Sequence, residues 1–132
     1  MKKLLPLSFP YKTDGQGNSF PVIPLSLKFS NRKKEFFALV DSGATISIFR
    51  SEVAESLGIN VNNGKETYLG GVGGRIKGYI HKLKVEIAGK QFVCPIVFSY
   101  EYLVSFNLLG RAIFFEKFRI IFEEKKSKVI LD

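Results

Sequence analysis

Several residue types that functional sites often use are scarce in this chain. Its 132 residues include no Trp, one Cys, one Met and one His. A single Cys excludes a disulfide within the chain, and a single His excludes a histidine-rich metal site. No apolar run approaches the roughly 20 residues of a membrane helix, and Pro6 interrupts the short apolar stretch at the N-terminus. The sequence therefore predicts a cytoplasmic protein without a membrane segment, a metal or another cofactor.

Residues that favour strands and turns are abundant. Apolar residues make up 45% of the chain, with 13 Phe, 12 Gly and 5 Pro. Phe, Ile and Val favour strands, whereas Gly and Pro break the sequence into short pieces. We therefore expect one mostly β domain over residues 1–132, with residues 1–12 as a possible N-terminal arm. Cys94 lies in an apolar run and is expected to be a small core residue.

The chain is basic, with a formal net charge of +8. Such a charge permits binding to nucleic acid, anionic membranes or acidic polypeptides. The densest basic runs, Arg32–Lys34 and Lys125–Lys128, fall at predicted turns, where like charges discourage edge-to-edge aggregation. A nucleic-acid-binding β barrel would need aromatic side chains along a basic groove. Most Phe residues lie in core-like runs instead, so nucleic acid is not the expected partner.

Apolar periodicity predicts the elements along the chain. His81 falls on the apolar face of a strand of period two, so a structural imidazole is expected rather than a catalytic one. Ser51 is expected to cap the first helix and Gly58 to end it. The predicted strands are Phe20–Phe29, beginning as an edge or irregular strand, Phe36–Val40, buried on both faces, Tyr79–Ile87, Gln91–Phe98, Ile120–Phe122 and Lys128–Leu131. The predicted helices are Glu52–Leu57 and Ala112–Phe118.

The first motif with a chemical interpretation is Asp41-Ser42-Gly43, which directly follows an apolar run. A carboxylate after a buried strand is costly unless it is hydrogen-bonded or functional. Gly43 permits a tight turn in which backbone amides point at the carboxylate. Ser42 adds a hydroxyl that can reach a neighbouring strand. Since Asp-Ser-Gly alone is common in ordinary turns, the preceding apolar run is what makes Asp41 a candidate.

The second motif is glycine-rich and comprises Gly70, Gly71, Val72, Gly73 and Gly74. Core packing does not explain four glycines around one valine, and the pattern is typical of a mobile hairpin tip. A phosphate-binding loop is the competing interpretation. It is disfavoured because no Lys-Ser/Thr follows the last glycine and the next segment has a strand pattern.

The third motif is Leu108-Leu109-Gly110, which precedes Arg111 and by itself fits any buried strand that meets a turn. In combination and in this order, the three motifs resemble those of retroviral-type aspartic proteases (retropepsins). The resemblance covers about Phe20 to Leu131. The predicted helices make the chain more similar to the stand-alone cellular and prokaryotic members than to compact viral enzymes.

The resemblance implies a fold and a set of roles. The fold is a single-domain closed β barrel with a flap hairpin and one or two short helices. Asp41 would be catalytic, in a loop with Ser42, Gly43 and Ala44. Gly70–Gly74 would form the flap over the substrate, and Leu108, Leu109 and Gly110 would support the catalytic loop.

Two positions depart from the family pattern. Ser42 stands where Thr is frequent, and it retains the hydroxyl. Arg111 lacks the acidic partner that viral members often have shortly after the catalytic Asp, because Thr45 and Ile46 occupy those positions. Arg111 is therefore expected to have another partner.

The small number of Asp residues bears on the oligomeric state. Hydrolysis by this chemistry uses two carboxyl groups a few ångströms apart that share one proton. The chain contains Asp14, which lies in a Gly-rich turn, Asp41, and the terminal Asp132. The sequence therefore predicts a homodimer that pairs two copies of Asp41 and cleaves extended peptides or unfolded segments between apolar residues. The alternative is a catalytically silent, dimeric peptide-binding module with the same fold, which only activity distinguishes.

Overall fold

A computed structural model describes residues 6–132, and residues 1–5 of the predicted N-terminal arm lie outside this range. Strands dominate the described residues and two short α-helices interrupt them, which confirms the mostly β prediction. Among residues 6–132, no helix is long and apolar enough to span a membrane.

The described strands are β1 (Leu7–Pro10), β2 (Lys12–Thr13), β3 (Ser19–Phe20), β4 (Val22–Phe29), β5 (Arg32–Val40), β6 (Ser47–Arg50), β7 (Lys65–Gly71), β8 (Gly74–Ile87), β9 (Lys90–Ser99), β10 (Asn107–Leu109), β11 (Ile120–Glu123) and β12 (Lys128–Leu131). The helices are α1 (Ser51–Ser56) and α2 (Phe114–Lys117), and single 3-10 turns occur at Val61–Asn63 and Glu124–Lys126.

The largest sheet has seven strands in the order β4-β5-β10-β6-β9-β8-β7. β4 also pairs with β8, where Ser26–Lys28 lies opposite residues 84–86, so the pairing returns to its first strand. β10 runs parallel to β5, and β6 runs parallel to β9. The segment β1, part of the predicted arm, pairs with β12 in a separate sheet of order β1-β12-β11.

Alternation along the strands places the core. Buried side chains recur at every second position from Ile23 to Leu27 in β4 and from Leu83 to Ile87 in β8, as expected for strands with one face inward. The largest fully buried side chains include Phe49, Phe98 and Phe114. Cys94 is fully buried, which confirms it as a core residue, and burial raises the pKa of its thiol to about 11.

The predicted turns occur where Gly and short polar residues cluster. Ser30 and Asn31 join β4 to β5, whereas Arg32–Lys34, predicted to lie at this turn, forms the start of β5. Ala88 and Gly89 join β8 to β9 with φ of 49° and 82°. Positive φ at both central residues matches the twist of a two-residue hairpin. Gly58, with φ of 77°, follows α1 and ends it as predicted.

Three local predictions need correction. Phe36–Val40 is not buried on both faces: Ala38 and Val40 are buried, but Phe37 is 47% exposed, and Lys12 Nζ lies 3.3 Å from its ring centroid. Buried and exposed side chains thus alternate along this strand. At Phe37 the outward face contacts the Lys12 side chain and solvent instead of the core. Ser51 is the first residue of α1 instead of its cap, and its hydroxyl donates to Glu52 Oε1 at 3.1 Å.

The third correction concerns the second helix, which is shorter than predicted. α2 begins only after Ile113, whose φ of 66° interrupts helical geometry.

The proline-containing start of β4 agrees with the prediction of an edge or irregular strand. Pro21 separates β3 from β4, and the pairing with β8 begins only at Ser26, beyond Pro24.

Candidate active site

Asp41 directly follows β5 and is half-buried. Its Oδ1 accepts a hydrogen bond from the Gly43 N–H at 2.9 Å, and its carbonyl oxygen accepts one from the Ala44 N–H at 3.2 Å. The carboxylate therefore sits in a tight turn of residues 41–44. A Cβ at Gly43 would lie 3.2 Å from Asp41 Oδ1, so the turn leaves little room for a side chain there. Ser42 is exposed.

Strand β10 holds the Asp41 turn through strand pairing and a backbone hydrogen bond. Leu108 and Leu109 pair in parallel with Leu39 and Val40, and the Leu109 carbonyl accepts a hydrogen bond from the Asp41 N–H at 3.0 Å. Leu108 also lies opposite Ile48 of β6. β10 thus ties the two strands on either side of the turn together directly beneath Asp41.

Gly110 continues this support. Its N–H donates to Ser47 Oγ at 3.0 Å, and a Cβ at Gly110 would collide with the backbone of Ile46. The next two residues bind the C-terminal end of the turn. The N–H groups of Arg111 and Ala112 donate to the carbonyls of Ala44 and Thr45, both at 2.9 Å.

Two buried polar residues in this support had no predicted role. Ser47 is fully buried and receives the Gly110 hydrogen bond. Asn107 accepts from the Arg50 N–H at 2.9 Å and donates to the Phe37 carbonyl at 3.0 Å, so it joins β5 and β6. A polar residue beside an apolar pair is the only sequence signal for either, and it does not identify a partner.

The side chain of Arg111 does not lie in an ion pair within the described part of the chain. The residue is exposed, and its main-chain N–H donates to the Ala44 carbonyl of the Asp41 turn. The expected alternative partner for the guanidinium is therefore not found among residues 6–132.

The glycine-rich segment forms the end of the β7–β8 hairpin. Leu69 lies opposite Ile76, and Gly71 opposite Gly74, which leaves Val72 and Gly73 at the tip. The Val72 side chain is fully exposed, and Gly73 and Gly74 have φ of 97° and 124°. These glycines therefore adopt backbone conformations that other residues rarely reach.

A groove of about 330 Å³ lies under one face of this hairpin. Its other side is the segment 101–104, which follows β9. Burial, together with the negative charge of Asp41, raises the pKa of Tyr102 in this segment to about 12. Tyr102 is therefore near enough to the Asp41 turn for the carboxylate charge to act on its hydroxyl. The apolar residues that line the groove are Ile48, Leu69, Val72, Ile76, Leu103 and Val104.

His81 lies away from this arrangement and has structural contacts. Its Nε2 is 2.9 Å from the Val61 carbonyl oxygen, and its ring packs edge-on against Phe98. Within the described part of the chain, no group of three or more His, Cys, Asp and Glu side chains is placed to hold a metal ion.

Comparisons with known proteins identify similar sequences and structures among the aspartic proteases. The family described as aspartyl protease matches residues 25–111. Among solved structures, the chain is similar to a retropepsin-like aspartic protease from Rickettsia conorii, with a TM-score of 0.70 and 22% identity over 98% of this chain and 100% of that chain. It is also similar to the EIAV protease complexed with the inhibitor HBY-793, with a TM-score of 0.56 and 19% identity over 70% and 82% of the two chains. No curated protein sequence matches the chain.

Proposed function

Since the chain belongs to the retropepsin-like aspartyl proteases, we propose that it is an aspartic endopeptidase that acts as a homodimer. The observation that carries this proposal is the position of Asp41. Its half-buried carboxylate follows a strand directly, accepts the Gly43 N–H at 2.9 Å, and stands on a turn that β10 holds at the Asp41 N–H. Such a carboxylate is both accessible and fixed in direction, as a general base or acid requires.

The homodimer is proposed because the chain has no second Asp for the chemistry. Both Asp14 oxygens accept hydrogen bonds within its own turn, from Gln16 and Asn18, and these bonds lower the pKa of that carboxyl. Asp132 is the last residue, and its backbone is paired with that of Arg119. A two-fold axis beside the Asp41 turn would bring two copies of this carboxyl together.

In the proposed reaction the two Asp41 carboxyls share one proton, because two like charges so close cannot both ionise cheaply. The ionised carboxylate takes a proton from a bound water, whose oxygen attacks the scissile carbonyl carbon. The protonated carboxyl donates to the carbonyl oxygen. The tetrahedral diol then collapses, the C–N bond breaks, and a proton passes to the leaving nitrogen. The pair titrates as a unit.

The remaining site residues receive supporting roles. We propose that Ser42, Gly43 and Ala44 shape the catalytic turn and that Leu108, Leu109 and Gly110 hold it. The hydrogen bonds from Asp41 to Leu109 and from Gly110 to Ser47 support this. The hairpin end Gly70–Gly74 is proposed to close over an extended peptide and exclude water. Its exposed tip and its position above the groove support that role.

The proposal includes the architecture around the site. We propose that the chain is one domain in which the ring of pairings β4-β5-β10-β6-β9-β8 forms the small closed barrel that carries the Asp41 turn. The core of buried side chains shared by these strands supports this. We also propose a cytoplasmic enzyme, since its one cysteine, Cys94, is free and buried and the chain carries no disulfide framework.

The test is mass spectrometry of a diverse peptide mixture incubated with the native protein and with Asp41→Asn, from mildly acid to neutral pH. We expect the native protein to cleave between apolar residues. Asp41→Asn, which cannot act as base, should lose about 10²- to 10⁴-fold in rate. Sedimentation of both proteins checks that the substitution leaves the assembly unchanged.

Cleavage by Asp41→Asn at the native rate would refute the assignment of Asp41. If the native dimer cleaves no peptide at any pH in the range, the catalytically silent peptide-binding module replaces the enzyme as the proposed function.

A further inference from the structure

One carboxylate stands out in the groove under the β7–β8 hairpin. Six of the described lining residues have apolar side chains, and Glu101 alone carries a carboxyl group. Glu101 lies beside Tyr102 on the wall opposite the hairpin. An acidic group in an otherwise apolar groove requires either a cation or solvent, because a carboxylate is strongly hydrated.

The Glu101 backbone is fixed relative to the hairpin. The Ser99 hydroxyl is fully buried; it donates to the Lys77 carbonyl of β8 and accepts the Glu101 N–H at 3.1 Å. The Tyr102 N–H donates to the Ser99 carbonyl at 3.3 Å. Glu101 therefore stands at a set distance from the strand that leads to the hairpin end.

The rest of this wall is also anchored. Tyr102 Oη donates to the Phe106 carbonyl at 2.8 Å, and Asn107 is tied to both β5 and β6. Between these anchors, Leu103 is 88% exposed and Val104 is 42% exposed. A backbone held in this way while it presents apolar side chains to solvent is preorganised to contact another molecule.

Glu101 has no internal counterion among residues 6–132. The ion pairs there use Glu52, Glu66, Glu86 and Glu123. Two of them neutralise cations near this region, since Arg50 pairs with Glu52 at 2.6 Å and Lys77 with Glu66 at 3.6 Å. Glu101 is exposed, so water hydrates its carboxylate in the free protein and the charge stays accessible to a cationic ligand, although the chain as a whole has a net charge of +8.

We infer that the groove binds a basic side chain, so that the preferred peptides combine apolar residues with one Lys or Arg placed to reach Glu101. The aliphatic stem of Lys or Arg would pack on Leu103 and Val104, as such stems do on apolar surfaces, while the charged end meets the carboxylate. The Tyr102 ring offers the same cation an aromatic face. The inference rests on the proposed function in that the groove is taken as the peptide-binding cleft.

The test compares peptides that differ only in one side chain. An apolar peptide carries Arg at each position in turn, and each version is paired with one carrying citrulline, which has nearly the same shape without the charge. At one position we expect kcat/KM for the Arg peptide to exceed that for its citrulline pair by about twofold to fivefold, the range for solvent-exposed ion pairs. The preference should shrink as salt is added.

Glu101→Gln should abolish the Arg preference while still cleaving the citrulline peptide, and Glu101→Lys should reverse it. The matched control is Glu55→Gln, which removes the same charge from the exposed face of α1. It should retain the preference.

Binding of the same peptide pairs to Asp41→Asn, measured by fluorescence anisotropy, separates this inference from the proposed function. Equal cleavage of Arg and citrulline peptides at every position, or an Arg preference that survives in Glu101→Gln, would overturn the inference and leave the protease intact. If no peptide is cleaved, the proposed function fails. Anisotropy with Asp41→Asn still shows whether the protein prefers the Arg peptide to its citrulline pair, and the inference is overturned if it does not.

Discussion

At the scale of the residue, Gly110 shows how closely the backbone beneath Asp41 is packed. Its Cα faces the main chain of Ile46, and its N–H is bound to the buried Ser47 hydroxyl at 3.0 Å. A methyl group there meets backbone atoms, which cannot rotate away as a flexible side chain does. The absence of a side chain at Gly110 is therefore a condition for the turn that holds Asp41.

Gly110→Ala is expected to lower the free energy of unfolding by about 1–3 kcal/mol, the usual cost of overpacking. Urea denaturation measures this as a lower midpoint with an unchanged slope. Gly15→Ala is the matched control, because a Cβ at Gly15 meets no atom within 4 Å. Equal midpoints for the two variants would contradict the packing argument.

At the scale of the element, the β7–β8 hairpin has two different faces. Leu69 and Ile76 lie opposite each other and face the groove. The outer face carries a polar network instead. The Arg75 guanidinium lies 4.7 Å from the Tyr68 ring centroid, Tyr68 Oη donates to Glu66 at 3.1 Å, and Glu66 pairs with Lys77.

We expect this network to stiffen a hairpin whose end is rich in glycine. Gly70 lies opposite Arg75, so Arg75 has no side chain directly across the strand pair and stacks on its diagonal neighbour Tyr68. The network extends from Arg75 to Glu66 and Lys77, so we expect the motion of the hairpin to lie mainly in the residues beyond it.

Tyr68→Ala is expected to speed amide hydrogen exchange in residues 65–80. An exposed cation–π contact stabilises by about 0.5–1 kcal/mol, which corresponds to about twofold to fivefold in exchange rate. Exchange measured by mass spectrometry on the native protein and the variant tests this without substrate. Lys82→Ala, an exposed change further along β8, is the control and should leave exchange in the hairpin unchanged. Native exchange rates in Tyr68→Ala would show that the network does not stiffen the hairpin.

At the scale of the whole molecule, the proposed activity belongs to a pair of chains. The chain has one Asp carboxylate on the turn that β10 supports, and its other two Asp residues are engaged or terminal. A subunit with an inactive Asp41 should therefore disable the partner with which it pairs.

A large excess of Asp41→Asn is added to native protein under conditions that allow subunits to exchange. The rate of cleavage should then fall strongly, although the concentration of native chains is unchanged. The reason is that most native chains then pair with a chain that lacks the second carboxyl. Cleavage of a fluorogenic peptide at constant native concentration measures the effect. Gly15→Ala in the same excess is the control, since its Asp41 is intact. Activity that depends only on the amount of native protein would indicate a catalytic unit within one chain.

Local pattern was sufficient for much of the fold. The turn at Ala88 and Gly89, the end of α1 at Gly58 and the alternating strand through His81 all follow from residues within a few positions of one another. The retropepsin-like fold and family expected from three short motifs are confirmed. The roles of Asp41 and of the residues around it stay predictions, which the cleavage experiments test.

The sequence by itself determined most of the longer strands, the first helix, the family and the candidate carboxylate, because strand alternation, turn geometry and motif order depend on neighbouring residues. Only the tertiary structure decided how that carboxylate is held. Gly110 and Ser47 are 63 positions apart, and Asn107 and Phe37 are 70 apart. The groove likewise joins residues 69–76 to residues 101–104. Contacts between such distant residues depend on which strands pair and in which register, and a linear pattern of polar and apolar residues does not specify those partners.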